Sequence, residues 1–164
     1  MLSKYYNIRS VIVRPFNNYG PGMELNDKRV IPDIMKSIIY NNNIIIHSDG
    51  SPTRTFCYVA DAIVGYLKSL KNSKFGNIYN IGSKAPEISI IKLAKTAIKV
   101  SKKVTNFKKK IILKKIKKKN YLVDNPKRRC PDMKKSEKEL KFKARINLEK
   151  GLYKLLLYYL NLKI

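Results

Sequence analysis

The sequence predicts an α/β architecture, and three observations carry that prediction. Short apolar runs of strand length recur at residues 10–13, 44–47, 55–59 and 77–81, each closed by turn-forming residues. Between them, apolar residues repeat every three or four positions, as they do on one face of a helix. The chain of 164 residues is 44% apolar and shows no internal repeat, so it has material for one core built of layers.

Residues 10–13 (Ser-Val-Ile-Val) read as a buried strand that runs into Arg14-Pro15-Phe16-Asn17-Asn18-Tyr19-Gly20-Pro21-Gly22. Residues 30–40 follow as a helix with Ile31, Ile34, Met35 and Ile38 on one face and Pro32 in its first turn. Asn41-Asn42-Asn43 ends it, residues 44–47 form a buried strand, and Ser48-Asp49-Gly50-Ser51-Pro52 turns the chain. Residues 55–59 are a short extended piece. Asp61 is placed to cap a helix over residues 62–70, whose buried stripe is expected to be Ile63, Tyr66, Leu67 and Leu70.

Residues 77–81 are the next strand, closed by Gly82. Ser89 caps a helix that turns Ile90, Leu93, Ala94 and Ala97 inward. Residues 133–140 form a short helix, and Asn147 caps a last one along Leu148, Leu152, Leu155, Leu156 and Tyr159. Residues 88–123 hold no acidic side chain; their lysines, from Lys108-Lys109-Lys110 to Lys117-Lys118-Lys119, read as a solvated face flanking a strand at residues 111–113.

The net charge of +25 invites a polyanion partner, nucleic acid or a membrane surface. Lysine outnumbers arginine 29 to 7, however, and Ile, Asn and Tyr are abundant. These residues share AT-rich codons, whereas a phosphate reader favours arginine forks. No specific nucleic-acid partner is therefore expected. There is no apolar run of about 18 residues, so no membrane span is expected, and the first residues lack a signal-peptide pattern. Two cysteines, Cys57 and Cys130, are too few for a disulfide framework and point to a reducing cytoplasm.

Asn17 and Asn18 carry amides that both donate and accept. At the carboxyl end of a strand they would face the crevice where open α/β sheets bind ligands; an Asx-turn without a ligand explains the same stretch. Arg29, Arg54, Arg128 and Arg129 each sit in a turn-like context. Where lysine is the common cation, retained arginine suggests planar, bidentate contacts, as to a diphosphate, with surface salt bridges as the alternative. His47 is the only histidine and has no partners at ligand spacing, so no metal site is expected. Cys57, between Phe56 and Tyr58, is expected in the core.

The linked motifs Arg14–Met23, Asn26-Asp27-Lys28-Arg29-Val30-Ile31-Pro32, Asp49-Gly50-Ser51-Pro52-Thr53-Arg54-Thr55-Phe56-Cys57-Tyr58-Val59-Ala60-Asp61-Ala62 and Tyr79-Asn80-Ile81-Gly82 resemble the C-terminal half of the NAD-dependent sugar-nucleotide epimerase/dehydratases, which are extended short-chain dehydrogenases. Asn125-Pro126-Lys127-Arg128-Arg129-Cys130-Pro131-Asp132 is similar to their late arginine-containing loop, and UDP-glucuronate decarboxylases look nearest.

The resemblance implies the C-terminal part of a Rossmann-like doubly wound sheet, at residues 1–28 and 55–82, plus a small mixed α/β substrate lobe at 29–54 and 83–164. It implies that Asn17, Arg29, Val30, Ile45, His47, Arg54, Asn80 and Arg128 hold a nucleotide sugar. Arg54 and Arg128 would be on the diphosphate, residues 45–47 beside the nucleobase and Asn80 at the nucleotide end. Asn18 would lie by the nicotinamide of NAD.

In such enzymes hydride leaves C4 of the sugar for NAD, a tyrosine serves as base, and the 4-keto sugar then decarboxylates, eliminates or epimerises. The Gly-x-x-Gly-x-x-Gly loop of the family does not occur in these 164 residues, and no Tyr-x-x-x-Lys pair precedes Asn17, where the family has its catalytic one. The dinucleotide-binding half is thus expected to be missing and no catalytic residue is assigned. A complementary N-terminal half is expected to complete the enzyme. A non-catalytic remnant and a basic polyanion-binding protein are the alternatives, and a dimer is left open.

Overall fold

The structure is a computed structural model that describes residues 5–6, 9–72, 74–114 and 126–162. Among them lie nine short strands and five helices. β1 (Ile12–Pro15) runs parallel to β6 (Ile78–Ile81), Ile12 opposite Ile78 and Pro15 opposite Ile81. β2 (Asn18–Tyr19) runs parallel to β5 (Cys57–Tyr58), and β3 (Ile44–Ile46) to β8 (Ile111–Leu113). A three-stranded sheet has β4 (Thr53–Arg54) at its centre, antiparallel to β7 (Ile88–Ser89) and parallel to β9 (Arg128–Arg129). The helices are α1 (Val30–Ile39), α2 (Val59–Asn72), α3 (Ile90–Ser101), α4 (Lys134–Leu140) and α5 (Leu148–Asn161).

The 3.6-residue periods decide what α1, α3 and α5 bury. Ile31, Ile34, Met35 and Ile38 of α1 meet Leu93, Ala94 and Ala97 of α3, and α3 packs in turn on Leu152, Leu155, Leu156 and Tyr159 of α5. Each such Ile, Leu or Met side chain contributes about 1.5–3 kcal/mol by leaving water. Ser89 and Asn147 cap α3 and α5 by accepting from the backbone N–H of Lys92 and Lys150. A second cluster gathers Cys57, Tyr79, Ile81, Leu140 and Phe142 around β6.

Three expectations need correction. The first strand runs from Ile12 to Pro15 rather than over residues 10–13, and it is not buried: Ile12 is 54% exposed. β6 is its one neighbour among the described residues, so one edge and much of its surface have no cover. Secondly, Asp61 is not a cap. α2 already begins at Val59, and the Asp61 carboxylate accepts from the backbone N–H groups of Arg145 and Ile146, at 2.9 and 2.8 Å, tying the segment before α5 to α2.

Thirdly, the buried stripe of α2 is the small one. Ala62, Gly65 and Ser69 face inward, and of the expected stripe Tyr66 packs, partly buried, on the second cluster, while Ile63, Val64, Leu67 and Leu70 face out. A Cβ on Gly65 would stand 2.7 Å from Ile81 and 3.0 Å from Phe142, so the small side is the one that lets helix and strand approach. The expected solvated face at Lys117-Lys118-Lys119 lies outside the described residues. No helix among the described residues is long and apolar enough to cross a membrane.

Candidate functional site

Asn17 ends β1 by its backbone. Its φ of 45° lies in the left-handed region, which asparagine tolerates better than most residues, and the chain leaves the strand there. The Asn17 carbonyl accepts from the N–H of Cys57 at 3.2 Å, and its Nδ2 donates to the Thr55 carbonyl at 2.8 Å. The amide is thereby held at the junction of β1, β2 and β5. Gly20 then turns the chain where a Cβ would collide with Val59. Asn18, one residue on, donates through Nδ2 to the Tyr66 hydroxyl at 2.5 Å, and its Oδ1 is buried with no hydrogen-bond partner among the described residues. Burial raises the Tyr66 phenol above its ordinary value.

These amides open onto a cavity of about 300 Å³. The start of α1 contributes Arg29, Val30 and Asp33; β3 and the residue after it contribute Ile45 and His47; β4 and β9 contribute Arg54 and Arg129; Phe56 lines it as well. Arg29 reaches Asp27 with both its Nε, at 2.8 Å, and its Nη2. Asp33 is the acidic lining residue, and its burial raises its carboxyl, an effect that nearby His47 and Lys36 partly offset.

Arg54 is 6% exposed, and its Nη1 donates to the Thr53 carbonyl at 2.7 Å. Burial first, and the Arg129 charge second, pull its guanidinium below the ordinary value. Two like charges therefore converge on one partly dry space. That arrangement favours a doubly charged anion over neutral contents.

The structure thus brings Asn17, Asn18, Arg29, Val30, Ile45, His47 and Arg54 around one cavity. Asn80 and Arg128 lie elsewhere. The Asn80 amide donates to the Asp132 carbonyl at 2.9 Å, while Arg128 is engaged by Glu87 on the outer face of the β7–β4–β9 sheet. Lys28 and Asp33 are lining residues that sequence reasoning did not assign to the site, and Arg129, noted there only among the turn arginines, lines it where Arg128 does not. The signal for Asp33 was present, since it lies three positions after Val30 on the same helix.

The fit of this site to NAD is limited. Asn18 Oδ1 is a polar atom that a nicotinamide amide could meet, and Gly20 is small for packing on Val59 rather than for cradling a pyrophosphate. These residues therefore suit one edge of the cofactor only.

The NAD dependent epimerase/dehydratase family matches residues 2–82. UDP-glucuronic acid decarboxylase 6 of Arabidopsis thaliana is 29% identical over 149 residues, 91% of this chain and 40% of its own length. Human dTDP-D-glucose 4,6-dehydratase is 37% identical over 101 residues, 62% of this chain and 28% of its own. The crystal structure of UDP-glucuronic acid 4-epimerase from Bacillus cereus, in complex with UDP-glucuronic acid and NAD, superposes with a TM-score of 0.81 at 27% identity. It covers 98% of this chain and 48% of that one. The chain therefore spans less than half the length of these relatives, and its fold corresponds to part of their Rossmann-like architecture.

Proposed function

The chain belongs to the NAD-dependent epimerase/dehydratase family, and on that premise we propose that its cavity binds the nucleotide-sugar substrate, a UDP-sugar, of an enzyme working through a 4-keto sugar. The observation that carries this reading is the convergence of Arg54 and Arg129 with the Asn17 amide on one cavity of about 300 Å³. A diphosphate offers oxygens to both guanidiniums at once. Asn17, Arg29 and Val30 meet the sugar and its linkage, while Ile45 and His47 flank the base. Arg129 takes the diphosphate role that sequence reasoning gave to Arg128, and Asn80 supports the Arg129 loop through Asp132.

Residues 1–28 and 55–82 serve as the sheet portion and residues 29–54 and 83–164 as the substrate lobe, which puts the cavity at their seam. Catalysis requires the family's Tyr-x-x-x-Lys and glycine-rich loop from a complementary half, in this polypeptide's continuation or in another chain, with NAD as cofactor. That half would cover the outward side chains of α2 and the edge of β1 that has no strand beside it among the described residues. Both thiols are free, in keeping with a cytoplasmic setting.

Calorimetric titration with UDP, UDP-glucuronate and dTDP-glucose tests the reading. UDP-glucuronate is expected to bind, and Arg54→Ala to weaken it by roughly tenfold or more, the scale of a lost charge-assisted contact. Equal binding by the variant, or no binding by the parent chain, would overturn it.

A further inference from the structure

The outer strand β9 is only two residues long, and both are exposed. Its backbone is held to β4 by the bond from Thr53 N to the Lys127 carbonyl, 2.8 Å, and by a longer one from Thr55 N to the Arg129 carbonyl, 3.4 Å. The register sets Thr53 opposite Arg128 and Arg54 opposite Arg129. Side chains alternate along a strand, so Thr53 and Arg128 share one face and Arg54 and Arg129 share the other.

Glu87 occupies the first face. Its carboxylate accepts from Arg128 Nε at 2.9 Å and Nη2 at 2.8 Å, and from the Thr53 hydroxyl at 2.5 Å. It precedes β7, on the far side of β4 from β9. The three side chains therefore form a strap from β7 across β4 to β9. An exposed ion pair is worth little alone, but this one is forked and has a third partner. The strap also holds β9 where Arg54 and Arg129 set two like charges on the opposite face, the second cause, after burial, of the lowered Arg54 guanidinium.

We propose that Glu87 is a positioning residue of the site: through Arg128 and Thr53 it pins β9 so that Arg129 stays beside Arg54 before the diphosphate arrives. The proposal rests on the nucleotide-sugar reading of the cavity and adds to it a residue outside the cavity. Pre-set geometry of this kind raises affinity by removing an ordering cost at binding. The lowering of the Glu87 carboxyl, chiefly by Arg128 and then by Thr53, accords with a carboxylate held in its charged form.

The experiment titrates UDP and uridine into the full chain as wild type, Glu87→Gln, Arg128→Lys and the charge-reversed pair Glu87→Arg/Arg128→Glu. Glu87→Gln is expected to lose roughly fivefold or more in UDP affinity while uridine binding stays unchanged, since only the diphosphate feels Arg129. Arg128→Lys, which keeps the charge without the fork, gives a smaller loss, and the reversed pair recovers most of the affinity. Unchanged UDP binding in Glu87→Gln, an equal loss of UDP and uridine, or no recovery in the reversed pair would each overturn the proposal and leave the cavity reading standing. A wild type that binds neither compound would remove the cavity reading itself, and this proposal with it.

Discussion

Cys57 shows how a residue's surroundings decide its chemistry. It is fully buried, and burial above all, with Asp61 behind it, pushes the thiol from 9.0 up to about 12. A thiol held protonated is a poor nucleophile. Iodoacetamide at pH 8 is therefore expected to modify Cys130, which is partly exposed, and to reach Cys57 only after denaturation; two equally fast thiols in the native chain would contradict this. The sign of the pH effect follows. The raised folded value favours the folded state below pH 9, and that contribution is lost as pH rises from 9 towards about 12. Cys57→Ala is expected to flatten the alkaline loss of stability in that window, measured by melts across the pH series.

Single residues were unevenly legible. The amides of Asn17 and Asn18 could be read from their place after a strand, because an α/β crevice lies there. The choice between Arg128 and Arg129 could not. Neighbours on a strand point to opposite faces, so the choice depends on the pairing of β9 with β4, a long-range fact absent from the local sequence.

At the scale of elements, the helix periods were legible where the apolar face meets other helices, as in α1. They misled in α2, where the strand and Phe142 come so close that the small residues must face inward. Composition favours burying the larger apolar side; steric approach reversed it. Gly151 in α5 poses the same constraint. A methyl there would collide with the Tyr19 hydroxyl and stand 3.0 Å from the Tyr58 ring. Helix propensity would improve by about 1 kcal/mol, but overpacking costs about 1–3 kcal/mol. Gly151→Ala is expected to lower the melting temperature and, because Tyr19 follows Asn18 on β2, to weaken UDP binding as well. A variant at least as stable as the parent, with unchanged affinity, would show that Tyr19 moves aside freely.

The whole molecule carries an uneven surface. Ile63, Val64, Leu67 and Leu70 of α2 point outward, Leu70 being 71% exposed, and the edge of β1 has no strand beside it among the described residues. Apolar patches and open edges of this kind drive association. The chain alone is expected to self-associate in size-exclusion chromatography. Leu67→Lys with Leu70→Lys should shift it towards monomer without lowering its melting temperature, because neither side chain belongs to the core. A monomeric parent chain would contradict the expectation. This surface was only partly legible: an uncovered sheet edge follows from the family resemblance, but the outward turn of α2 depends on contacts with β6.

The most direct measurement of the central claim is a crystal structure of the full chain with UDP-glucuronate. The diphosphate is expected between the guanidiniums of Arg54 and Arg129, with the Asn17 amide beside the sugar and Ile45 and His47 beside the base. Ligand seated on another face, or a diphosphate held by lysines away from Arg54, would contradict it.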